Sequence, residues 1–360
     1  MDYKSYFDIP DGLIYLNTPG NGLMPVSHRQ WRRSWDSTFF DPLSDLRDQQ
    51  LAFVRDLKSE MGSLFHCPVG NVYCIPNFSF GFNVLLEGLP KNTSFALLQD
   101  DYPSLNYPIL SRGYSYETIR TNDGKLEENI RAVLGKSRID VLVLSIVQYI
   151  SGLKIDLSFI KELREDFPDI ILIADATQYL GTEPFDFLDS GFDAVCGSGY
   201  KWMMAGFGNG YIMLSDRLKD LLYADAQQRS RPKESMWEHK SIIDTFFEPG
   251  HQDLLSHGTM LQSILFFKEH GLSQVKEYID SVVDYAYEAL IERDLILPMV
   301  KDRLCRSGLI NLQISPDHYP LLLQEGIKCF PRGSGIRIGI HLYNSKEDID
   351  YLIDVLKKVY

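Results

Sequence analysis

Two neighbouring apolar runs each end in a charged group of opposite sign. Ile170-Ile-Leu-Ile-Ala174 leads into Asp175, and Ala194–Gly197 leads into Ser198-Gly-Tyr-Lys201-Trp. Apolar runs without alternation read as strands buried on both faces of a mostly parallel sheet. In such sheets ligands bind beyond the carboxyl ends of the strands. Taken singly, Asp175 is an N-cap or loop acid and Lys201 a snorkelling surface lysine. Taken together at one rim, they suit pyridoxal phosphate. The lysine amine would hold the cofactor as a Schiff base, and the carboxylate would keep the pyridine nitrogen protonated. A free lysine, with a pKa of about 10.4, must be desolvated or bonded to act as base or nucleophile.

The elements that would position these groups are legible from Asn71 to Leu214. Strands are predicted at Asn71–Ile75, Ser94–Gln99, Ser115–Ile119, Val141–Val147, Ile170–Ala174, Ala194–Gly197 and Gly210–Leu214. Helical patterns lie between them near Ser79–Gly88, Leu126–Leu134 and Leu157–Asp166. That alternation predicts an α/β fold with right-handed crossovers. A long helical stretch from Thr259 to Arg293 and a closing helix from Lys346 suggest a smaller α+β domain. The expected division is a large cofactor-binding domain over 26–246, with 1–25 and 247–360 forming the small domain. The loop-like start, with Pro19, Gly20, Gly22 and Pro25, is expected to lie over the active site.

The chain has 360 residues, with 36 Lys+Arg against 49 Asp+Glu, a formal charge of −13. That balance argues against binding a nucleic-acid backbone. No apolar run is long enough to span a bilayer, and the polar start Met-Asp-Tyr-Lys-Ser-Tyr leads us to expect no secretory signal. The five cysteines form no C-x-x-C pair, so a reduced, cytoplasmic chain without structural zinc is expected.

At this point the residues resemble a known family. Asp175-Ala-Thr-Gln178, Gly181, Asp186, Ser198-Gly-Tyr-Lys201-Trp and Gly206-Phe-Gly208-Asn-Gly210 are similar in order and spacing to the class V aminotransferases, fold-type I pyridoxal phosphate enzymes. Tyr15-Leu-Asn17-Thr-Pro-Gly20, Asn71-Val, Asn77-Phe78-Ser79, Tyr102-Pro-Ser-Leu-Asn106, Ser145-Ile-Val-Gln-Tyr149 and Gly335-Ile-Arg337 with Tyr343-Asn344 extend the resemblance over nearly the whole chain. The resemblance implies a cofactor bonded to Lys201 and held by Asp175 at the ring nitrogen and Gln178 at the phenolic oxygen. It places Phe78, Ser79, Ser198 and Tyr200 around the phosphate and Tyr102 on the ring face. It makes Arg337 the anchor for a substrate carboxylate, with Asn17 and Tyr149 beside the substrate. It also implies a homodimer acting on a small amino acid or keto acid. A lyase or epimerase of the same fold, or a silent cofactor-binding protein, is the alternative.

The sequence departs from the family pattern in three places. Tyr149 replaces an asparagine, and Tyr200 stands where histidine is frequent. Glu248-Pro-Gly250-His251 replaces a Gly-Thr turn that in many members reaches the neighbouring subunit's phosphate, so that either His251 substitutes as the donor or the contact is lost. No cysteine sits in a loop suited to forming a persulfide, which disfavours a cysteine desulfurase.

Overall fold

Apolar runs of four or five residues with no polar face to show solvent belong at the centre of a sheet. The computed structural model describes residues 2–230, 234, 237, 238 and 240–358. It opens with strand β1 (Ile14–Tyr15) and helices α1 (Val26–Ser37) and α2 (Leu46–Phe65). The central region follows as β2 (Val72–Ile75), α3 (Phe78–Gly88), β3 (Ser94–Leu98), α4 (Pro103–Ser111), β4 (Ser115–Ile119), α5 (Leu126–Leu134), β5 (Val141–Ser145), α6 (Leu157–Asp166), β6 (Ile171–Asp175), β7 (Ala194–Ser198) and β8 (Gly210–Leu214). All seven expected strands are present, most of them shifted by a residue or two at one end.

These seven strands form one sheet in the order β2-β8-β7-β6-β5-β3-β4. Only β8 runs antiparallel to its neighbours. Strands β2, β5, β6, β7 and β8 are buried along their whole length. The edge strand β4 exposes four residues and buries only Ile119. The chain crosses from β4 back over β3 to begin β5, so the direction of winding reverses between β3 and β5. A crevice opens at such a reversal, outside the carboxyl ends of the strands.

The rest of the chain runs through α7 (Asp216–Leu221), α8 (Ala224–Gln227), α9 (Ile242–Phe247), α10 (Leu254–His270), α11 (Leu272–Ile291) and α12 (Pro298–Lys301). It continues with β9 (Leu309–Leu312), α13 (Tyr319–Gln324), β10 (Ile327–Lys328), β11 (Phe330–Arg332), β12 (Gly335–Gly339) and α14 (Lys346–Leu356). The single helix expected from Thr259 to Arg293 is therefore two. Gly271, at φ +74°, separates them, a conformation that costs glycine nothing and ends the first helix. Helix α10 packs along α1 and α2. Strands β9, β11 and β12 form a three-stranded antiparallel sheet.

The loop-like start is tied to the far end of the chain. Strand β1 pairs in parallel with β10, and Asn17 bridges to Gly339. No helix among the described residues is long and apolar enough to cross a membrane.

Candidate active site

A cavity of about 490 Å³ lies at the carboxyl ends of β5, β6 and β7, where the winding reverses. Asp175 is the last residue of β6 and Lys201 follows β7 by three residues. Both line the cavity, and they are only 5% and 7% exposed. Burial raises the Asp175 carboxyl above its ordinary range, while the Thr177 N–H at 2.8 Å and the Lys201 charge pull it back. Burial likewise lowers the Lys201 ammonium, and Asp175 opposes that shift. The nearby guanidinium of Arg337 pushes Lys201 further down. A desolvated amine is more readily the free base, the form that bonds a carbonyl. Lys201 Nζ stands 5.7 Å from the Tyr102 ring centre and 5.5 Å from that of Tyr200.

A helix N-terminus also lines the cavity. Asn77 caps α3 by accepting the Phe80 N–H at 2.9 Å. Ser79 is therefore not the cap and keeps its hydroxyl for the cavity. The Phe78 N–H is engaged by Ser198 Oγ at 2.9 Å, and the Gly81 N–H by the Asn77 carbonyl. As an acceptor from Phe78, Ser198 retains its own proton to donate. Two serine hydroxyls at the positive end of a helix form an anion cradle. Phe78, Tyr200, Phe207 and Gly208 line the cavity around it, with Tyr200 stacked on Phe207 at 4.6 Å.

Gln178 also lines the cavity, and both ends of its amide are held. Its Oε1 accepts the Trp202 indole N–H at 2.7 Å, and its Nε2 donates to the Pro19 carbonyl at 3.1 Å. One Nε2 proton remains for a phenolic oxygen. The Tyr102 ring meets Tyr149 edge-on at 5.3 Å.

Asp101 is a site residue that the sequence reading did not single out. It is 4% exposed and accepts the Ser145 N–H and hydroxyl together with the Tyr102 N–H. It thus fixes the backbone that carries the Tyr102 ring. Its place three residues after β3, at the winding reversal, was the available signal.

Three expected residues do not lie on the cavity wall. Arg337 reaches the site through Tyr149, donating from Nη1 to the Tyr149 carbonyl at 2.6 Å. Its Nε is buried without a partner. Asn17 is part of the turn that covers the site, and its Oδ1 is buried without a partner. His251 lies in this chain beside Glu248 and Lys240, in a separate hollow from the cavity.

The turn over the site fits tightly. The Gly22 N–H donates to the Tyr200 carbonyl at 2.9 Å. A Cβ at Gly22 would stand 1.9 Å from the Lys201 carbonyl oxygen, so only glycine fits there.

This fold and site define a pyridoxal phosphate enzyme of fold type I. A buried amine, a buried carboxylate and a hydroxyl-lined helix terminus share one cavity, which suits an aldehyde, a pyridine nitrogen and a phosphate. Residues 111–352 match the family described as Aminotransferase class-V, and the chain belongs to that family. Among curated relatives, the kynureninase of Geobacillus thermodenitrificans (strain NG80-2) is 26% identical, covering 99% of this chain and 90% of the relative. An uncharacterized aminotransferase, YcbU, of Bacillus subtilis (strain 168) is 20% identical over 82% of this chain and 81% of its own. The solved apo cysteine desulfurase of Thermococcus onnurineus NA1 superposes with a TM-score of 0.83 at 15% identity, covering 99% of this chain and 97% of that one. The cystine C-S lyase C-DES superposes at 0.84 with 16% identity, covering 97% and 98%. Pyridoxal phosphate is the cofactor.

Proposed function

We propose that this chain is an aminotransferase moving an amino group between a small amino acid and a 2-oxo acid. The observation that carries the reading is the buried Lys201–Asp175 pair at the ends of adjacent parallel strands, in one cavity with the cradle of Ser79 and Ser198. When bound, the cofactor supplies the electron sink that makes a Cα–H bond acidic. Lys201 would hold the cofactor aldehyde and, once freed by the incoming amine, would carry the proton from Cα to the cofactor carbon it had bonded, the transfer that moves the amino group. Asp175 would accept a hydrogen bond from the cofactor's pyridinium nitrogen, a charge-assisted contact that would maintain the sink. Arg337 holds the substrate carboxylate in its planar fork. Pro19 and Gly22 tie the N-terminal turn to Gln178 and to the Tyr200 carbonyl, next to Lys201.

The cysteines support this reading over a persulfide route. Burial pushes the Cys67 and Cys329 thiols up to about 12 and raises those of Cys74 and Cys196 as well. No cysteine is among the residues lining the cavity. A kynureninase-like lyase is the second reading, supported by the 26% identical relative. A panel of amino acids offered to the loaded enzyme separates the two. Pyridoxamine phosphate with the matching 2-oxo acid supports transamination, whereas release of alanine supports the lyase. Loaded enzyme that reacts with no amino acid overturns both.

We further propose a homodimer in which His251 faces the partner's phosphate cradle. Light scattering on the loaded enzyme gives twice the chain mass if this holds. A monomer with full activity rejects it.

A further inference from the structure

The hairpin that carries Arg337 carries a second guanidinium on the same face. Strand β11 pairs antiparallel with β12, placing Phe330 opposite Arg337 and Arg332 opposite Gly335. Residues two apart share a face of a strand, and directly opposed residues share a face of the pair. Arg332 and Arg337 therefore stand on one face as diagonal neighbours, a relation that separates positions by roughly 7–8 Å. That face points to the segment following β5. Arg337 bonds the Tyr149 carbonyl, Asn311 bonds the carbonyls of both Ile150 and Arg332, and a Cβ on Gly333 would touch Ile150.

Neither guanidinium has an ion-pair partner among the described residues. Arg337 is 4% exposed, and its Nε is an orphan. A buried charge without a counter-ion is costly, so its counter-ion belongs to a ligand. Arg332 is exposed, with its guanidinium 4.7 Å from the Phe330 ring centre, a contact that leaves its N–H donors in the plane free. The charges of both arginines are felt at the Tyr149 hydroxyl and at the Lys201 amine. The nearby acids are already committed, Asp101 to Ser145 and Tyr102 and Asp175 to Thr177.

We propose that Arg332 and Arg337 form a two-anion clamp, so that the substrate is an α-amino acid whose side chain ends in a second carboxylate. Arg337 takes the α-carboxylate and Arg332 the distal one. This rests on the aminotransferase reading, whose half-reaction makes an acidic amino acid the donor and its 2-oxo dicarboxylate the product.

The test compares isosteres that differ in the distal charge alone. Loaded enzyme is given L-glutamate, L-glutamine, L-aspartate, L-asparagine and O-phospho-L-serine. A preference of about tenfold or more in kcat/KM for each acid over its amide is expected. Arg332→Gln collapses that ratio, and Arg332→Lys restores part of it. A readout independent of turnover is calorimetric titration with glutarate and its monoamide glutaramate, where wild type binds glutarate more tightly and Arg332→Gln binds the two alike. Equal reaction with acids and amides, or a ratio unmoved by Arg332→Gln, overturns the clamp while leaving transamination standing. O-phosphoserine preferred over both dicarboxylates overturns the carboxylate assignment. Reaction with none of the amino acids overturns the underlying reading.

Discussion

Lys201 and Asp175 hold opposite charges in a buried space, and each shifts toward its neutral form for the same reason, burial. For Lys201 the sign is definite. Its folded pKa lies below the ordinary 10.5, so the unfolded chain binds more protons in the window beneath that value, and apoprotein stability rises with pH across it. The rate at which apoprotein captures the cofactor aldehyde should rise with pH to a midpoint below that of an ordinary lysine. A stopped-flow pH profile of the visible band checks this, and Lys201→Ala abolishes the covalent band altogether. Asp175→Asn should leave the cofactor able to bond Lys201 but remove the charge-assisted contact proposed for Asp175. A drop of about 10²–10³ in kcat is expected, typical of removing one preorganised electrostatic partner. Ser198→Ala removes the hydroxyl proposed to hold the phosphate and strands the Phe78 N–H, so cofactor affinity should fall about tenfold by equilibrium dialysis.

His341 links a residue to an element. Its Nδ1 accepts the Leu342 N–H at 2.7 Å, so Nε2 carries the proton and donates to the Trp202 carbonyl at 2.9 Å. Burial holds its pKa down to about 4. The folded state stays neutral while the unfolded state takes up a proton, so stability is lost as pH falls from 6.5 towards 4. His28, also held to about 4 by burial, adds to the same loss. Each contributes on the order of 1–3 kcal/mol. Urea midpoints at pH 7 and pH 5 should differ accordingly, and His341→Gln should narrow the gap. At the covering turn, Gly22→Ala forces a Cβ into the Lys201 carbonyl. We expect a loss of about 1–3 kcal/mol, seen in the thermal midpoint, together with slower cofactor capture.

Legibility in the sequence also differed by element. The strands were readable because buried parallel strands leave continuous apolar runs, as in Ile171–Ala174. Helices α1 and α2 were not read: α1 buries only His28 along its length, and its packing stripe is set by α10, distant in sequence. Helix α4 hid behind Pro103 at its first turn and Pro108 within it. Lys201, Asp175 and Ser79 were legible because each follows a strand. Asn77 as the cap, the Gln178–Pro19 contact and the shared face of Arg332 and Arg337 needed register and long-range packing, which spacing along one chain does not encode.

At the scale of the molecule, the site is assembled from distant parts of the chain. Turn 17–22 rests on Tyr200 and Gln178, while β1 is held by β10 and Asn17 by Gly339. Contacts separated by some three hundred residues close late, because loop-closure entropy opposes them until the intervening chain is compact. The central sheet, made of strands nearer in sequence, can form without them. During refolding, sheet signals should therefore recover before the visible band of the lysine-bound cofactor. A nascent chain still lacking residues 327–339 would hold its lysine and carboxylate in place under an open roof. Cofactor capture thereby becomes a record of completed folding, timed by the last strands to arrive rather than by the residues that do the chemistry.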